Sequence, residues 1–206
     1  FRRIIAVRLT RKDLPRWRVN DGIEITVIKP NENLGGILEF SGKRAQKNIL
    51  LGYYDALRIL KGYVGNKYCI ELAEDDEYFF SMLLRVDEKR LKETVKRLGL
   101  SESVPVRRVL LERLIPISIE LLGLPPSASY KDLVIALLER AAERLGIGRF
   151  RVYRYHQLYE EIVERWRMAR VSRRAGLPKI FRGNELVLKA MGERVLDEFT
   201  DLLLGH

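Results

Sequence analysis

The run Arg149-Phe150-Arg151-Val152-Tyr153-Arg154-Tyr155 alternates cations with aromatic and apolar side chains. On an extended strand Arg149, Arg151 and Tyr153 share one face, and Phe150, Val152 and Arg154 the other. The first face then offers guanidinium groups to phosphates and a ring to a base. Arg165-Trp166-Arg167 and Arg170-Val171-Ser172-Arg173-Arg174 follow, with Lys179 and Arg182 beyond. Leu158, Ile162 and Trp166 recur at four-residue spacing, which reads Trp166 as core. Arg170, Arg173 and Arg174 fall near a helix C-terminus, where the dipole also favours cations. The run lacks the Gly and small-residue positions of the RNA-recognition-motif signature and does not indicate that fold.

A second interleaving opens the chain: Arg11-Lys12-Asp13-Leu14-Pro15-Arg16-Trp17-Arg18. Trp17 either stacks on a base while Arg16 and Arg18 hold phosphates, or is buried with the cations as a solvated rim. A third cluster lies in Ser41-Gly42-Lys43-Arg44-Ala45-Gln46-Lys47, at the start of a helical pattern. Lys43, Arg44 and Lys47 sit at the positive pole of that helix, where each costs a few tenths of a kcal/mol, roughly, unless an anion binds. The alternative is that they point to water. Gly36 and Gly42-Lys43-Arg44 do not form a P-loop: five residues separate the glycines, and Arg44 replaces the hydroxyl residue. ATP and GTP binding are excluded on that basis.

Catalytic chemistry has thinner support. The histidines are His156 and His206, and no HxxxH or CxxC spacing suggests a zinc site. Cys69 lies in an apolar strand and reads as core; His156 is either a general base or a structural residue at a helix start. Glu74-Asp75-Asp76-Glu77 and Asp87-Glu88-Lys89 offer carboxylates for Mg²⁺, but acidic turns and helix starts account for both. A metal-dependent nuclease using Asp75, Asp76 or Asp87 is the alternative from the enzyme class.

Leu50-Leu51-Gly52-Tyr53-Tyr54-Asp55-Ala56 resembles the helix motif of LAGLIDADG homing endonucleases over about seven residues of 206. The family's metal-binding carboxylate falls at Leu57 and its closing glycine at Arg58. The resemblance therefore implies DNA binding without cleavage at this site. The strand–helix arrangement around it is also loosely similar to atypical single-stranded-DNA-binding proteins of thermophiles.

The elements that position these residues can be read from periodicity and caps. Strands are expected at Arg3–Leu9, Gly22–Ile28, Gly36–Phe40 and Lys67–Leu72, with a further one at Arg149–Arg154. Ser41 caps a helix from Gly42 to Lys61, with Ile49, Leu50, Tyr53, Ala56, Leu57 and Leu60 on one face. Tyr78–Val86 fits a hairpin partner or a short helix. Asp87–Leu98 is a helix with Gly99 as its stop. Val104–Leu122 is helical with a kink or break at Pro116. Ser129 caps a helix to Leu145, another runs from His156 to Val171, and Asn184 caps the last, ending at Leu204. The expected fold is α+β. An N-terminal antiparallel sheet with packed helices occupies 1–100, and a mainly helical unit with a basic strand–helix segment at 149–182 occupies 101–206.

Charge is distributed unevenly over these elements. Residues 1–20 hold a net +6 and residues 149–182 a net +7, against +10 for the whole chain. Clustered cations of this kind call for a polyanion. The chain is 47% hydrophobic, which supports a packed core and excludes a disordered basic tail. Its 32% charged residues fit a thermophile's ion-pair surface. One cysteine and no apolar run long enough for a bilayer suggest a cytoplasmic protein. The start at Phe1, without a secretory segment, is read as N-terminal trimming. The expected function is non-catalytic binding of nucleic acid, single-stranded DNA or RNA over duplex, with little sequence preference, no cofactor and a possible homo-oligomer. Contacts are assigned to Arg11, Lys12, Arg16, Trp17, Arg18, Lys43, Arg44, Lys47, Arg149, Arg151, Tyr153, Arg154, Arg173, Arg174, Lys179 and Arg182. A third reading is an assembly subunit whose basic face meets an acidic protein.

Overall fold

The computed structural model describes residues 2–10, 22–36, 41–100, 104–173 and 184–205, with backbone alone at 170–173 and 184–191. The fold is α+β, as expected. The chain divides into two compact units, one of Phe1–Leu72 with Gly148–Tyr155, the other of Ala73–Ile147 with His156–His206. The first unit includes a late segment whose strand at 152–154 pairs with residues 69–71 there.

In the first unit, β1 (Arg3–Val7) pairs with β2 (Glu24–Ile28) in parallel, in register from Arg3 opposite Glu24 to Val7 opposite Ile28. After α1 (Gly42–Lys61), β3 (Cys69–Glu71) pairs in parallel with β4 (Val152–Arg154). The expected antiparallel sheet is thus replaced by two parallel pairs. Alternating residues mark a strand but carry no information on its direction, and parallel partners arrive by crossovers that local turn chemistry does not reveal. Of the expected third strand, Gly36 has no regular structure and 37–40 lie outside the described residues.

Helix α1 has the expected limits, Gly42 to Lys61. The Ser41 side chain accepts from the Arg44 N–H, and Gly62 ends the helix at φ 70, a left-handed value glycine adopts without strain. Its orientation is the reverse of expectation. Leu51, Asp55 and Arg58 are buried, whereas Ile49, Leu50, Tyr53 and Leu60 are exposed. A buried polar network explains the reversal. Arg58 Nη2 lies 2.5 Å from Asp55 Oδ1, Arg58 Nη1 donates to Asn66 O at 2.8 Å, and Asn31 N–H donates to Asp55 Oδ2 at 3.1 Å. Paired and hydrogen-bonded, these charges tolerate the interior that either alone would not.

The second unit is helical: α2 (Asp76–Leu84), α3 (Glu88–Arg97), α4 (Val106–Val109), α5 (Ile115–Leu121), α6 (Tyr130–Arg144), α7 (Tyr155–Arg173) and α8 (Asn184–Leu204). Of the ambiguous Tyr78–Val86 segment, residues 78–84 are helical, within α2. A π turn at Leu110–Leu114 joins α4 to α5, and Ile115 N–H donates five residues back to Leu110 O. Pro116, near the start of α5, has no N–H and its ring crowds the preceding turn; the wider turn accommodates both facts without a break. Ser129 and Asp132 form a capping box at α6. Phe79, Leu83, Leu91, Leu110, Leu133, Leu158 and Phe199 supply the core. Among the described residues, no helix is long and apolar enough to cross a membrane.

Candidate nucleic-acid interface

The cations at the start of α1 divide into one open and two engaged. Lys43 is exposed. Arg44 folds back, its Nε donating to Leu34 O at 3.3 Å, and its guanidinium lies across Gly35. Gly35 has φ 97, and a Cβ there would come within 2.6 Å of Arg44 Nε. Asn48 Nδ2 donates to the same Leu34 carbonyl at 2.7 Å. The first turn of α1 contains no acidic residue.

Lys47 and Arg149 converge on one carboxylate that the sequence reading missed. Glu32 Oε2 lies 3.6 Å from Lys47 Nζ and 2.9 Å from Arg149 Nη2, while Arg149 Nη1 bonds Glu32 Oε1. The Arg149 hydrogen bonds and the two nearby cations outweigh partial burial and hold the Glu32 carboxyl down to about 2. Arg149 Cζ also lies 4.9 Å from the centre of the Phe150 ring. Two of the expected phosphate contacts are thereby committed to fastening the 148–155 segment to the loop before α1. Glu32 lies in the Pro30-Asn31-Glu32-Asn33 loop, and nothing in the local sequence signals its distant partner Arg149.

β4 is shorter than the expected strand Arg149–Arg154, so Arg149 and Arg151 precede it. The strand covers only Val152–Arg154, with Tyr153 opposite Ile70 and Arg154 opposite Glu71. Tyr153 points inward and is 2% exposed; its ring lies 6.0 Å from that of Tyr68 and its hydroxyl donates to Gly148 O. A ring so enclosed is not available to stack on a base. The exposed Arg151 lies over it instead, with Cζ 4.1 Å from the ring centre. Arg154 is exposed, with Nε 3.8 Å from Glu71 Oε2.

Arg11, Lys12, Arg16, Trp17, Arg18, Arg174, Lys179 and Arg182 lie outside the described residues, and Arg173 is described by its backbone alone at the end of α7. Within α7, Trp166 is buried as expected and its indole N–H donates to Asp201. Arg165 pairs with Glu161 at 2.7 Å.

The first unit holds 17 Lys/Arg against 7 Asp/Glu, a net +10, the whole formal excess of the chain. The second unit holds 21 of each sign. The basic stretch at 149–182 is cut by the fold: its first three arginines join the basic unit, and the rest sit in a neutral one. There the charges cross-link helices. Arg140 reaches Asp197 at 2.8 Å and Glu193, Arg97 reaches Glu198 at 3.0 Å, and Arg90 Nη2 donates to Asp201 O at 2.8 Å.

No family model, curated protein or solved structure matches this chain. The carboxylates weighed for a nuclease each have a local task. Asp75 accepts from Tyr78 N–H at 2.9 Å, Asp87 from Arg90 N–H at 2.8 Å, and Asp76 from Lys131 N–H at 2.7 Å. Among the described residues no group of three or more His, Cys, Asp or Glu is placed to hold a metal ion. His156 Nε2 lies 2.6 Å from Glu74 Oε1, with the ring edge-on to Tyr78. Cys69 is buried and its thiol donates to Tyr54 O at 3.3 Å. In the segment that resembles the LAGLIDADG motif, Asp55 is closed on Arg58 inside the unit.

Proposed function

We propose that the first unit is a non-catalytic module that binds nucleic acid, single-stranded DNA or RNA in preference to duplex, with little sequence preference. The carrying observation is the partition of charge: all of the +10 belongs to this unit, while the other is balanced. A structural use of charge, as in the second unit, brings both signs together. An unbalanced surplus confined to one unit is compensated by a polyanion. Lys43, Arg151 and Arg154 bring side chains to its surface, and Arg11, Lys12, Arg16 and Arg18 add to its charge. With Tyr153 enclosed, base stacking falls to Trp17, and a stacking ring favours unpaired bases.

The test is a titration of labelled single-stranded and duplex oligonucleotides across a salt series, with and without Mg²⁺. Tighter binding to the single strand, with log affinity falling against log salt at a slope of about −3 or steeper, supports the reading. Absence of binding at low salt overturns it. Cleavage only with Mg²⁺ transfers the function to a nuclease.

A further inference from the structure

The reversed amphipathicity of α1 leaves an apolar strip facing solvent. Ile49 is 71% exposed, Tyr53 59%, Leu60 54% and Leu50 43%. Ile49, Tyr53, Ala56 and Leu60 follow at i, i+4, i+7 and i+11, one straight ridge about 16 Å long. Ala45, Gly52 and Ile59 form the line on one side. A Cβ built at Gly52 meets nothing within 4 Å, so the groove there is open to a close neighbour. Lys43, Leu50, Leu57 and Lys61 form the line on the other side, with an exposed lysine at each end. Isolated surface hydrophobes need no explanation, but a continuous ridge with a small-residue groove beside it marks an interaction surface.

We infer that this face docks an amphipathic helix of another polypeptide whose apolar strip is flanked by Asp and Glu. The charge around the ridge selects that occupant. The only acid of α1, Asp55, is buried against Arg58, so every exposed charge on the helix is positive. A second copy fits poorly. An antiparallel pairing sets Lys43 against the copy's Lys61, a parallel one sets each lysine against itself, and each first unit brings +10. Acidic flanks on the incoming helix meet Lys43 and Lys61 favourably while its apolar strip covers Ile49, Tyr53 and Leu60. The ridge is distinct from the residues assigned to nucleic acid, Lys43 apart, so the two readings stand or fall separately.

The probe is a synthetic amphipathic helix with leucines at three- and four-residue spacing and glutamates flanking them, labelled and titrated against the full chain by fluorescence anisotropy. A matched peptide carries lysine for glutamate. Saturable binding of the acidic peptide, weakened by salt, is expected, with little or none for the basic one. Ile49→Asn weakens it about tenfold or more, as does Tyr53→Ser, with unchanged circular dichroism and unchanged oligonucleotide affinity. Equal binding of both peptides, no binding, or indifference to Ile49→Asn overturns the inference. Self-association in sedimentation that Ile49→Asn abolishes also overturns it, by giving the face to a second copy.

Discussion

Arg149 grips Glu32 through both terminal guanidinium nitrogens, across 117 residues of sequence. Lys47 approaches the same carboxylate from α1, at 3.6 Å. This three-residue knot ties the returning segment 148–155 to the loop that precedes α1, and it holds the Glu32 carboxyl at about 2 against an ordinary value of 4.5.

Because the folded value is depressed, the knot's contribution is complete above pH 4.5 and disappears as pH falls from 4.5 through 2. Glu32→Gln should cost about 1–2 kcal/mol at pH 7, allowing for solvent screening of the pair. Urea unfolding of the wild type and variant at pH 7 should show that gap, and the two curves should converge by about pH 2. A gap independent of pH would show that the charge on Glu32 is not what stabilises the segment.

The same substitution releases Lys47 and Arg149 toward solvent. Oligonucleotide affinity at low salt should rise about two- to fivefold and the salt slope should steepen by about one unit, read by anisotropy across a salt series. Unchanged affinity would place the nucleic acid away from this knot.

The partition of charge makes a comparison between units decisive. Lys43→Glu, in the basic unit, should weaken oligonucleotide binding about threefold or more at low salt. Arg165→Glu, in the balanced unit, should leave binding within experimental error, although it breaks the pair with Glu161. Equal losses from both variants would assign the contact to the whole chain's charge and not to the first unit.

The Asp55–Arg58 pair should behave as a buried ion pair. Asp55→Ala leaves Arg58 without its carboxylate and should cost about 3–5 kcal/mol. Replacing both residues by apolar side chains of similar volume should cost markedly less than Asp55→Ala alone. Chemical denaturation of the single and double variants measures the difference, and an equal or larger loss in the double variant would refute the account.

What the sequence determined by itself is local. Ser41 starts α1, Asp87 and Ser129 start α3 and α6, and the four-residue spacing of Leu158, Ile162 and Trp166 places Trp166 inside. Caps and helical periodicity act over one or two turns, so their causes lie within a few residues of their effects. The tertiary structure decided everything that depends on residues far apart in the chain. Strand direction, the return of 148–155 to the first unit, the capture of Arg149 by Glu32 and the enclosure of Tyr153 all follow from which distant segment lies alongside. So does the reversal of α1. Its apolar stripe read as core because apolar surface is ordinarily covered, yet a satisfied polar network drew the opposite face inward. Net charge was legible from composition, but its meaning was not. Only the division into units places the whole surplus of ten positive charges in the first unit and balances the second.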